Sequence, residues 1–205
     1  MFGDPWELAE LVEPSFPPGL LQPAFSFPFE VGVPWTFTGG PHPAWEQESA
    51  LAALDFAPPS VESGCVESFA WIVAITAGQI VRSGGGYVVL DLDGDGFEQT
   101  GWVVLYLHVA TKNRIAAGTW VNEGDHIGHP SCEGGSSTGT HIHFARKYNG
   151  EWMPAGGPLP FVLCGWQVHA GLEPYQGTLT RDGQTIPSSI YGSFESLISR
   201  KQDDP

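Results

Sequence analysis

Short apolar runs, each bounded by glycine or proline, are the feature that most constrains the fold of this chain. The clearest runs are Trp71–Ala77, Tyr87–Leu92 and Trp102–Val109, and the 205 residues include 27 Gly and 18 Pro. Glycine and proline punctuate secondary structure, and short runs rich in β-branched and aromatic residues between them are typical of strands. The sequence therefore predicts a mainly β protein, built as a single antiparallel β-sheet domain with a groove and few short helices.

The N-terminal part has a different pattern. Residues 4–12 predict a short helix with an acidic cap and a proline in its first turn. Residues 13–29 contain five prolines and predict an extended segment, either a leader remnant or a strap across the domain. We favour the strap, because its aromatic side chains need a place to bury: Phe16, Phe25, Phe27 and Phe29. The expected organisation is an N-terminal extension over 1–29 and a domain over 30–205.

The run from Trp102 to Val109 alternates in the manner of a strand with two distinct faces. We expect one face to pack in the core: Val103, Leu105, Leu107 and Val109. The opposite face would carry a functional residue at the strand end: Trp102, Val104, Tyr106 and His108. Residues 93–101 then form the turn of a hairpin, and Gly84–Gly86 form a tight turn without the helix or Lys of a phosphate-binding loop.

The charge balance excludes some partners. The formal net charge is −15, from 8 basic and 23 acidic residues, so a polyanion such as nucleic acid would be repelled on average. No run of about eighteen apolar residues predicts a membrane span. The first residues lack the basic and apolar regions of a signal peptide, so we expect a cytoplasmic chain or one that begins after a removed leader.

The segment Thr140–Phe144 contains the strongest chemical signal. In a strand, His141 and His143 project to one side and Ile142 and Phe144 to the other. Two imidazoles on one rigid face are suited to holding a zinc ion and acting beside it. Two half-exposed histidines on an edge strand are the alternative.

Two more residues could complete a metal site. His42 follows a Gly-Gly-Pro turn, and Asp55 lies between Leu54 and Phe56. A carboxylate among large apolar residues needs water or a strong partner, which could be a metal, a salt bridge or a helix N-terminus.

These motifs resemble the lysostaphin-like zinc endopeptidases. The signature loop and strand of that family are similar to the segment 132–144, Cys-Glu-Gly-Gly-Ser-Ser-Thr-Gly-Thr-His-Ile-His-Phe. The residues of this segment are most similar to those of the staphylolysin (β-lytic) branch. The segments 40–42 and 54–56 resemble the first two ligand sites, and their thirteen-residue spacing matches the same branch. Leu105–His108 is similar to the strand that carries a catalytic histidine.

The resemblance implies a role for each matched residue. His42, Asp55 and His143 would bind one Zn²⁺ per chain. His108 and His141 would be catalytic, and Tyr175 would steady the tetrahedral intermediate, with Tyr148 as a rival for that role.

The implied function is hydrolysis of peptide bonds in bacterial cell-wall (peptidoglycan) crosslinks, especially bonds that contain glycine. Alternatives are a protease of Gly-rich extracellular proteins and a non-catalytic relative that binds cell wall or regulates a hydrolase. We expect a monomer that is secreted or held in the cell envelope, with a peptidoglycan or Gly-rich peptide substrate. Trp45, Trp102 and Tyr106 are candidates for the groove walls.

Three cysteines leave an odd count without CxxC spacing, which disfavours a thiolate zinc site. In an oxidising compartment we expect Cys132 to be bonded, with Cys65 the preferred partner and Cys164 free.

The remaining polar candidates favour ordinary structural roles. Residues 91–96, Asp-Leu-Asp-Gly-Asp-Gly, begin like a calcium loop, but Trp102 occupies the position of the EF-hand glutamate, so a polar hairpin turn is favoured. His126 and His129 are expected to be exposed in a turn, and His169 is expected at the surface.

Overall fold

The computed structural model describes residues 17–45, 49–60 and 62–204. Fifteen strands and one short 3₁₀ helix are found in this part of the chain, in the order β1 Pro34–His42, β2 Ala53–Ala57, β3 Ile72–Val73, β4 Gly78–Gly84, β5 Tyr87–Asp91, β6 Trp102–Leu107, β7 Trp120–Val121, β8 His126–Gly128, β9 Ile142–Tyr148, β10 Glu151–Trp152, β11 Val162–Leu163, β12 Trp166–Ala170, β13 Gly177–Arg181, β14 Gln184–Pro187, the 3₁₀ helix Phe194–Ser196 and β15 Leu197–Ser199. The prediction of a mainly β protein is confirmed. The helix predicted over residues 4–12 lies outside the described residues.

The strands form three antiparallel sheets. The largest has nine strands in the order β15-β1-β2-β9-β6-β5-β4-β7, with β10 pairing to β9. A four-stranded meander runs β11-β12-β13-β14, and β3 pairs with β8. The sequence pattern located the strands but could not separate the sheets, because pairing between distant segments leaves no local signal.

Both predicted turns are present. Residues 93–101 connect β5 to β6, and Gly84–Gly86 close the hairpin between β4 and β5. Gly85 and Gly86 have φ of 53° and 85°, in the left-handed region that glycine enters without steric cost. The run that began at Trp71 forms a strand only over Ile72–Val73.

Aromatic side chains from the N-terminal segment form part of the main core. Phe25, Phe27 and Phe29 are 3%, 0% and 0% exposed, so their predicted burial is confirmed. Phe29 stacks on Trp35 of β1, and Phe27 meets Phe56 of β2 edge-on. The segment therefore packs against the large sheet, while a domain boundary at residue 29 stays a prediction.

Within β6 the two faces are the reverse of the prediction, whereas Val109, just after the strand, is buried in the main core as predicted. Val104 and Tyr106 are fully buried in the main core, and the Tyr106 hydroxyl accepts the Ile75 N–H. Val103 and Leu105 instead form a small cluster on the opposite face. Alternation shows that a strand has two faces, but both faces of β6 are apolar, so the pattern could not say which one packs in the core.

That reversal removes two of the predicted groove residues. Trp102 packs against Phe25 and Tyr106 is wholly enclosed, so neither lines an open surface. Trp45 is 41% exposed and remains available for such a role.

In the described part of the chain, no helix is long and apolar enough to cross a membrane.

Candidate active site

The centre of the site is a pair of residues placed opposite each other on adjacent strands. Asp55 of β2 pairs in register with His143 of β9, and the neighbouring pair Leu54–Phe144 packs in the core. Because side chains alternate along strands, the buried Leu and Phe force Asp55 and His143 onto the other face. The apolar residues that flank Asp55 in sequence thus fix its direction.

His42 reaches the same face through two irregularities in β1. If the Phe37–Phe56 register continued, His42 would lie opposite Leu51, but two extra residues in β1 place it opposite Ala53 instead. Bulges of this type re-aim side chains and often occur near active sites. They bring His42 next to Asp55.

Three donor atoms converge at this point. His42 Nε2 lies 3.2 Å from Asp55 Oδ1, His143 Nδ1 lies 3.1 Å from the same oxygen, and the two nitrogens are 2.9 Å apart. All three residues are buried. The remaining nitrogens face backbone carbonyls, with His42 Nδ1 at 2.8 Å from Gly40 O and His143 Nε2 at 3.0 Å from Ala44 O.

This arrangement fixes the tautomers. A carbonyl oxygen only accepts, so the nitrogen facing it carries the proton in a neutral imidazole. His42 Nε2 and His143 Nδ1 therefore both present lone pairs, and they point toward a carboxylate oxygen. Three acceptors facing one another require a cation, and tetrahedral zinc with bonds of about 2.0–2.2 Å separates its ligands by roughly 3.4 Å. The donor set and its spacing fit zinc.

His108 and His141 complete the cluster. Their ring centroids are 4.5 Å apart, and His141 Nε2 lies 3.7 Å from Asp55 Oδ1. Each ring has its Nδ1 at 2.8 Å from a backbone carbonyl, that of Glu133 for His108 and that of Gly139 for His141. In its neutral form each ring therefore presents the lone pair of Nε2.

His108 does not reach the site by simple alternation along β6. Alternation would place it on the core face with Tyr106, but its φ is 66°. A left-handed residue directly after the strand turns the side chain toward His141. Such a conformation costs about 1–3 kcal/mol for a non-glycine residue, and residues of this kind cluster at active sites.

The surrounding histidines keep the Asp55 carboxyl group ionised. Burial opposes ionisation, yet the surrounding His42, His141 and His143 outweigh it and hold the pKa of Asp55 well below its usual range. Burial also lowers the pKa of His42, but the contacts with Asp55 and the Gly40 carbonyl leave it raised.

His108 behaves differently. Burial, followed by the proximity of His141, lowers its pKa to about 4. His108 is therefore a neutral imidazole at ordinary pH, as a proton acceptor must be.

The structure brings Tyr175, and not Tyr148, to the cluster. Tyr175 stacks on the His42 ring with centroids 4.1 Å apart and planes 19° from parallel, and it is 45% exposed. Tyr148 packs on Trp102 at the far end of β9. Burial and the charge of Asp55 raise the pKa of Tyr175, so the phenol stays protonated as a hydrogen-bond donor.

Two glycines support the site and were not predicted as functional. A Cβ on Gly39 would lie 2.7 Å from Asp55 Oδ2, and a Cβ on Gly86 would lie 2.5 Å from the Glu133 backbone carbon. Gly39 thus leaves room for Asp55, and Gly86 lets the hairpin turn approach the loop whose carbonyl orients His108. The Gly39–Gly40 pair inside a strand was the available signal, since glycine there often marks a bulge or a close approach.

The signature loop, residues 132–140, is fixed at both ends. Cys132 is bonded to Cys65 and Cys164 is free and buried, which confirms the predicted pairing. At the other end the Thr140 N–H donates to Gly64 O, at 3.0 Å. The segment around residue 64 therefore holds the loop from both sides.

The other histidines lie apart from the cluster. His126 is exposed as predicted, but His129 is only 7% exposed, so its predicted exposure was wrong. Its Nδ1 lies 2.8 Å from Ala70 O and its ring packs on Trp71, which provides the burial that the Gly-rich turn did not predict. His169 is half-buried and lies 2.7 Å from the Thr180 hydroxyl.

The chain is similar to known metallopeptidases in sequence and in fold. Residues 61–154 match the model of peptidase family M23. The beta-lytic metalloendopeptidase of Lysobacter enzymogenes is 25% identical over 181 residues, covering 85% of this chain and 96% of the relative. That of Achromobacter lyticus is 27% identical over 187 residues, and the chain spans 46% of its length.

A solved structure has the same fold. The deep-sea M23 metalloprotease pseudoalterin aligns with a TM-score of 0.65 at 21% identity, over 82% of this chain and 96% of the other. Metallopeptidases of family M23 use zinc, in agreement with the cofactor predicted from the sequence. In residues 61–154 this chain carries a domain of peptidase family M23, the family of the lysostaphin-like metalloendopeptidases.

Proposed function

We propose that this chain hydrolyses peptide bonds in bacterial peptidoglycan crosslinks, preferring bonds that contain glycine. The observation that carries the proposal is the convergence of three buried donor atoms beside the imidazoles of His108 and His141. Two imidazoles and a carboxylate are the ligand set of catalytic zinc sites, which keep a position open.

His42, Asp55 and His143 would hold the zinc ion. When bound, zinc supplies a Lewis acid and lowers the pKa of a bound water to about 7. The backbone carbonyls of Gly40 and Ala44 orient the two imidazoles, and such outer contacts sustain metal affinity.

His108 and His141 would move the protons. Each presents an unprotonated Nε2, held by a carbonyl at its Nδ1. One of them accepts a proton from the attacking water and returns it to the leaving amine. An imidazole within hydrogen-bond reach of the water and of the leaving amine is suited to both transfers.

Tyr175 would bind the developing oxyanion. Its ring lies on His42 at the edge of the cluster, and the phenol remains protonated. A donor aimed at charge that forms only in the transition state accelerates the reaction.

Glycine suits this site for a steric reason. The metal-binding group is buried between strands, with the three ligands 1% to 7% exposed, so a scissile bond must bring its backbone close. A residue without a side chain approaches most easily. We place cell-wall peptides ahead of Gly-rich extracellular proteins because the segment 132–144 resembles the signature of the lysostaphin-like endopeptidases.

A non-catalytic role is disfavoured, since all five histidine and aspartate candidates are present and assembled. We propose a monomer that is secreted or held in the cell envelope. The Cys65–Cys132 disulfide supports the secreted or cell-envelope location, because disulfides persist in oxidising compartments.

The test compares three substrates and the metal content. Purified protein should contain about one equivalent of zinc, lose activity with a chelator and regain it with zinc. It should cleave pentaglycine and intact wall faster than a β-branched peptide of equal length. Preference for the β-branched peptide, or activity indifferent to chelation, would refute the proposal.

A further inference from the structure

The turn between β5 and β6 brings together three carboxylates that the proposed active site does not use. Asp91, Asp93 and Asp95 each place one oxygen within 4.8 Å of the other two. The cluster precedes β6, at the end of that strand opposite to His108. It is thus separate from the group of His42, Asp55 and His143.

Asp91 is the unusual member, because it is buried and half satisfied. Asp91 is 0% exposed. Its Oδ2 accepts the Gly96 N–H at 2.9 Å, whereas its Oδ1 has no hydrogen-bond partner among the described residues. An enclosed carboxylate oxygen without a partner carries a desolvation cost that a structure normally offsets with a donor or a cation.

The other two carboxylates supply no such donor. Asp93 accepts the Asp95 N–H at 3.1 Å, and Asp95 accepts the Phe97 N–H and the Thr100 hydroxyl. These hydrogen bonds shape the turn, but their donors are neutral groups and do not neutralise the negative charge of the carboxylates. Within residues 17–45, 49–60 and 62–204, no Lys, Arg or His forms an ion pair with any of the three.

The electrostatic consequence is visible at Asp91. Burial raises its pKa, and the charges of Asp93 and Asp95 raise it further against the opposing Gly96 N–H. A cation bound among the three oxygens would remove this repulsion.

We propose that Asp91, Asp93 and Asp95 bind a calcium ion. The donors are all oxygen, which selects a hard cation, and Ca²⁺ tolerates irregular coordination completed by water better than Mg²⁺ does. The spacing equals that of positions one, three and five of a calcium loop, with Gly96 at φ 86° in position six. The spacing alone favoured a polar turn, and the buried Oδ1 of Asp91 is what favours an ion.

The affinity should be weak. Trp102 stands where a bidentate glutamate would close the coordination. Sites in extracellular modules bind calcium with Kd of about 10⁻⁴–10⁻³ M, and this site belongs in that range. Binding would tie the end of β5 to its turn and stiffen the hairpin that leads to His108.

Terbium luminescence provides the test. Tb³⁺ replaces Ca²⁺ at oxygen sites and emits when a nearby tryptophan is excited, and the Trp120 ring lies against Gly94 in the turn. Protein with zinc bound should give tryptophan-sensitised emission that millimolar Ca²⁺ displaces, and Ca²⁺ should raise the thermal unfolding midpoint. Asp93→Asn keeps the acceptor for the Asp95 N–H yet should weaken Ca²⁺ binding by about tenfold or more.

Matched controls separate this site from others. Asp182→Asn removes one carboxylate from an exposed turn, where the side chain is 91% exposed, and should leave the terbium signal unchanged. His143→Ala should also keep the signal, so failure of the zinc proposal would not affect this result. Emission that persists in Asp93→Asn at wild-type strength, or an unfolding midpoint that Ca²⁺ does not move, would overturn the proposal.

Discussion

At the scale of single residues, the site is governed by which nitrogen of each histidine carries the proton. Four backbone carbonyls, those of Gly40, Ala44, Glu133 and Gly139, each face one ring nitrogen. The opposite nitrogens are thereby left as lone pairs at the centre of the site. The metal ligands and the proposed proton carriers are oriented by the same device, and His141 Nε2 lies 3.7 Å from Asp55 Oδ1, farther than either ligand nitrogen.

Substitution separates the ligands from the proton carriers. His143→Ala removes one of three converging donors, so the purified protein should lose most of its zinc. His108→Ala and His141→Ala should retain zinc and lose activity by about a hundredfold or more, because proton transfer typically contributes that much. Elemental analysis and turnover on a glycine peptide measure both effects. Full zinc retention in His143→Ala would contradict the ligand assignment, and near-normal turnover in either other variant would remove that histidine from the mechanism.

A single methyl group at Gly39 should disturb the metal site. Gly39→Ala places its Cβ 2.7 Å from Asp55 Oδ2 and 3.0 Å from Asp55 Cβ, so Asp55 must move. Overpacking of this kind costs about 1–3 kcal/mol. We expect weaker zinc binding in competition with a chelator.

Gly84→Ala is the control for Gly39→Ala. Gly84 also lies in a strand of the large sheet, has no positive φ and has nothing within 4 Å of an added Cβ. The Gly84→Ala variant should bind zinc with the same affinity as the wild-type protein. Equal zinc affinity in both variants would show that Asp55 does not need the space beside Gly39.

At the scale of elements, irregular segments position the site side chains that the register of regular strands does not place. β2 and β9 place Asp55 opposite His143 by register alone, whereas His42 depends on the two extra residues of β1 and His108 on a left-handed residue after β6. The signature loop depends on the disulfide at Cys132.

Removing that disulfide tests its contribution to stability. Cys65 and Cys132 are 67 residues apart in sequence, so the crosslink restricts a long loop of the unfolded chain. The double variant Cys65→Ser/Cys132→Ser should lose about 2–4 kcal/mol of unfolding free energy in urea. Cys164→Ala should still respond to reductant, whereas the double variant should not. A wild-type unfolding midpoint that is insensitive to reductant would contradict this expectation.

At the scale of the whole molecule, the dominant property is the net charge of −15. Bacterial walls are often polyanionic, so bulk electrostatics would oppose binding rather than promote it.

The salt dependence of cleavage follows from that charge. Raising the ionic strength shortens the screening length from about 30 Å at 0.01 M to about 8 Å at 0.15 M, so cleavage of an anionic wall should hold steady or improve. Cleavage of uncharged pentaglycine should stay constant and serves as the control. Wall cleavage that is fastest at the lowest salt and falls steadily would show that a local basic surface governs binding.

The sequence by itself determined the mainly β fold class and the site residues to examine, and it favoured the Cys65–Cys132 pairing without fixing it. Short runs between glycines predicted strands, and the His141–His143 spacing predicted a shared face, because both depend on local geometry. The apolar neighbours of Asp55 left a metal, a salt bridge and a helix N-terminus open, and the resemblance to the lysostaphin-like endopeptidases singled it out as a ligand.

Only the tertiary structure decided the rest. Which face of β6 packs in the core depends on the strands and loops that cover it, and two apolar faces look alike in sequence. The separation into three sheets, the left-handed turn at His108 and the space that Gly39 leaves for Asp55 arise from contacts between segments far apart in the chain. Burial of Asp91 belongs to the same class, since solvent exclusion at one residue is set by everything packed around it.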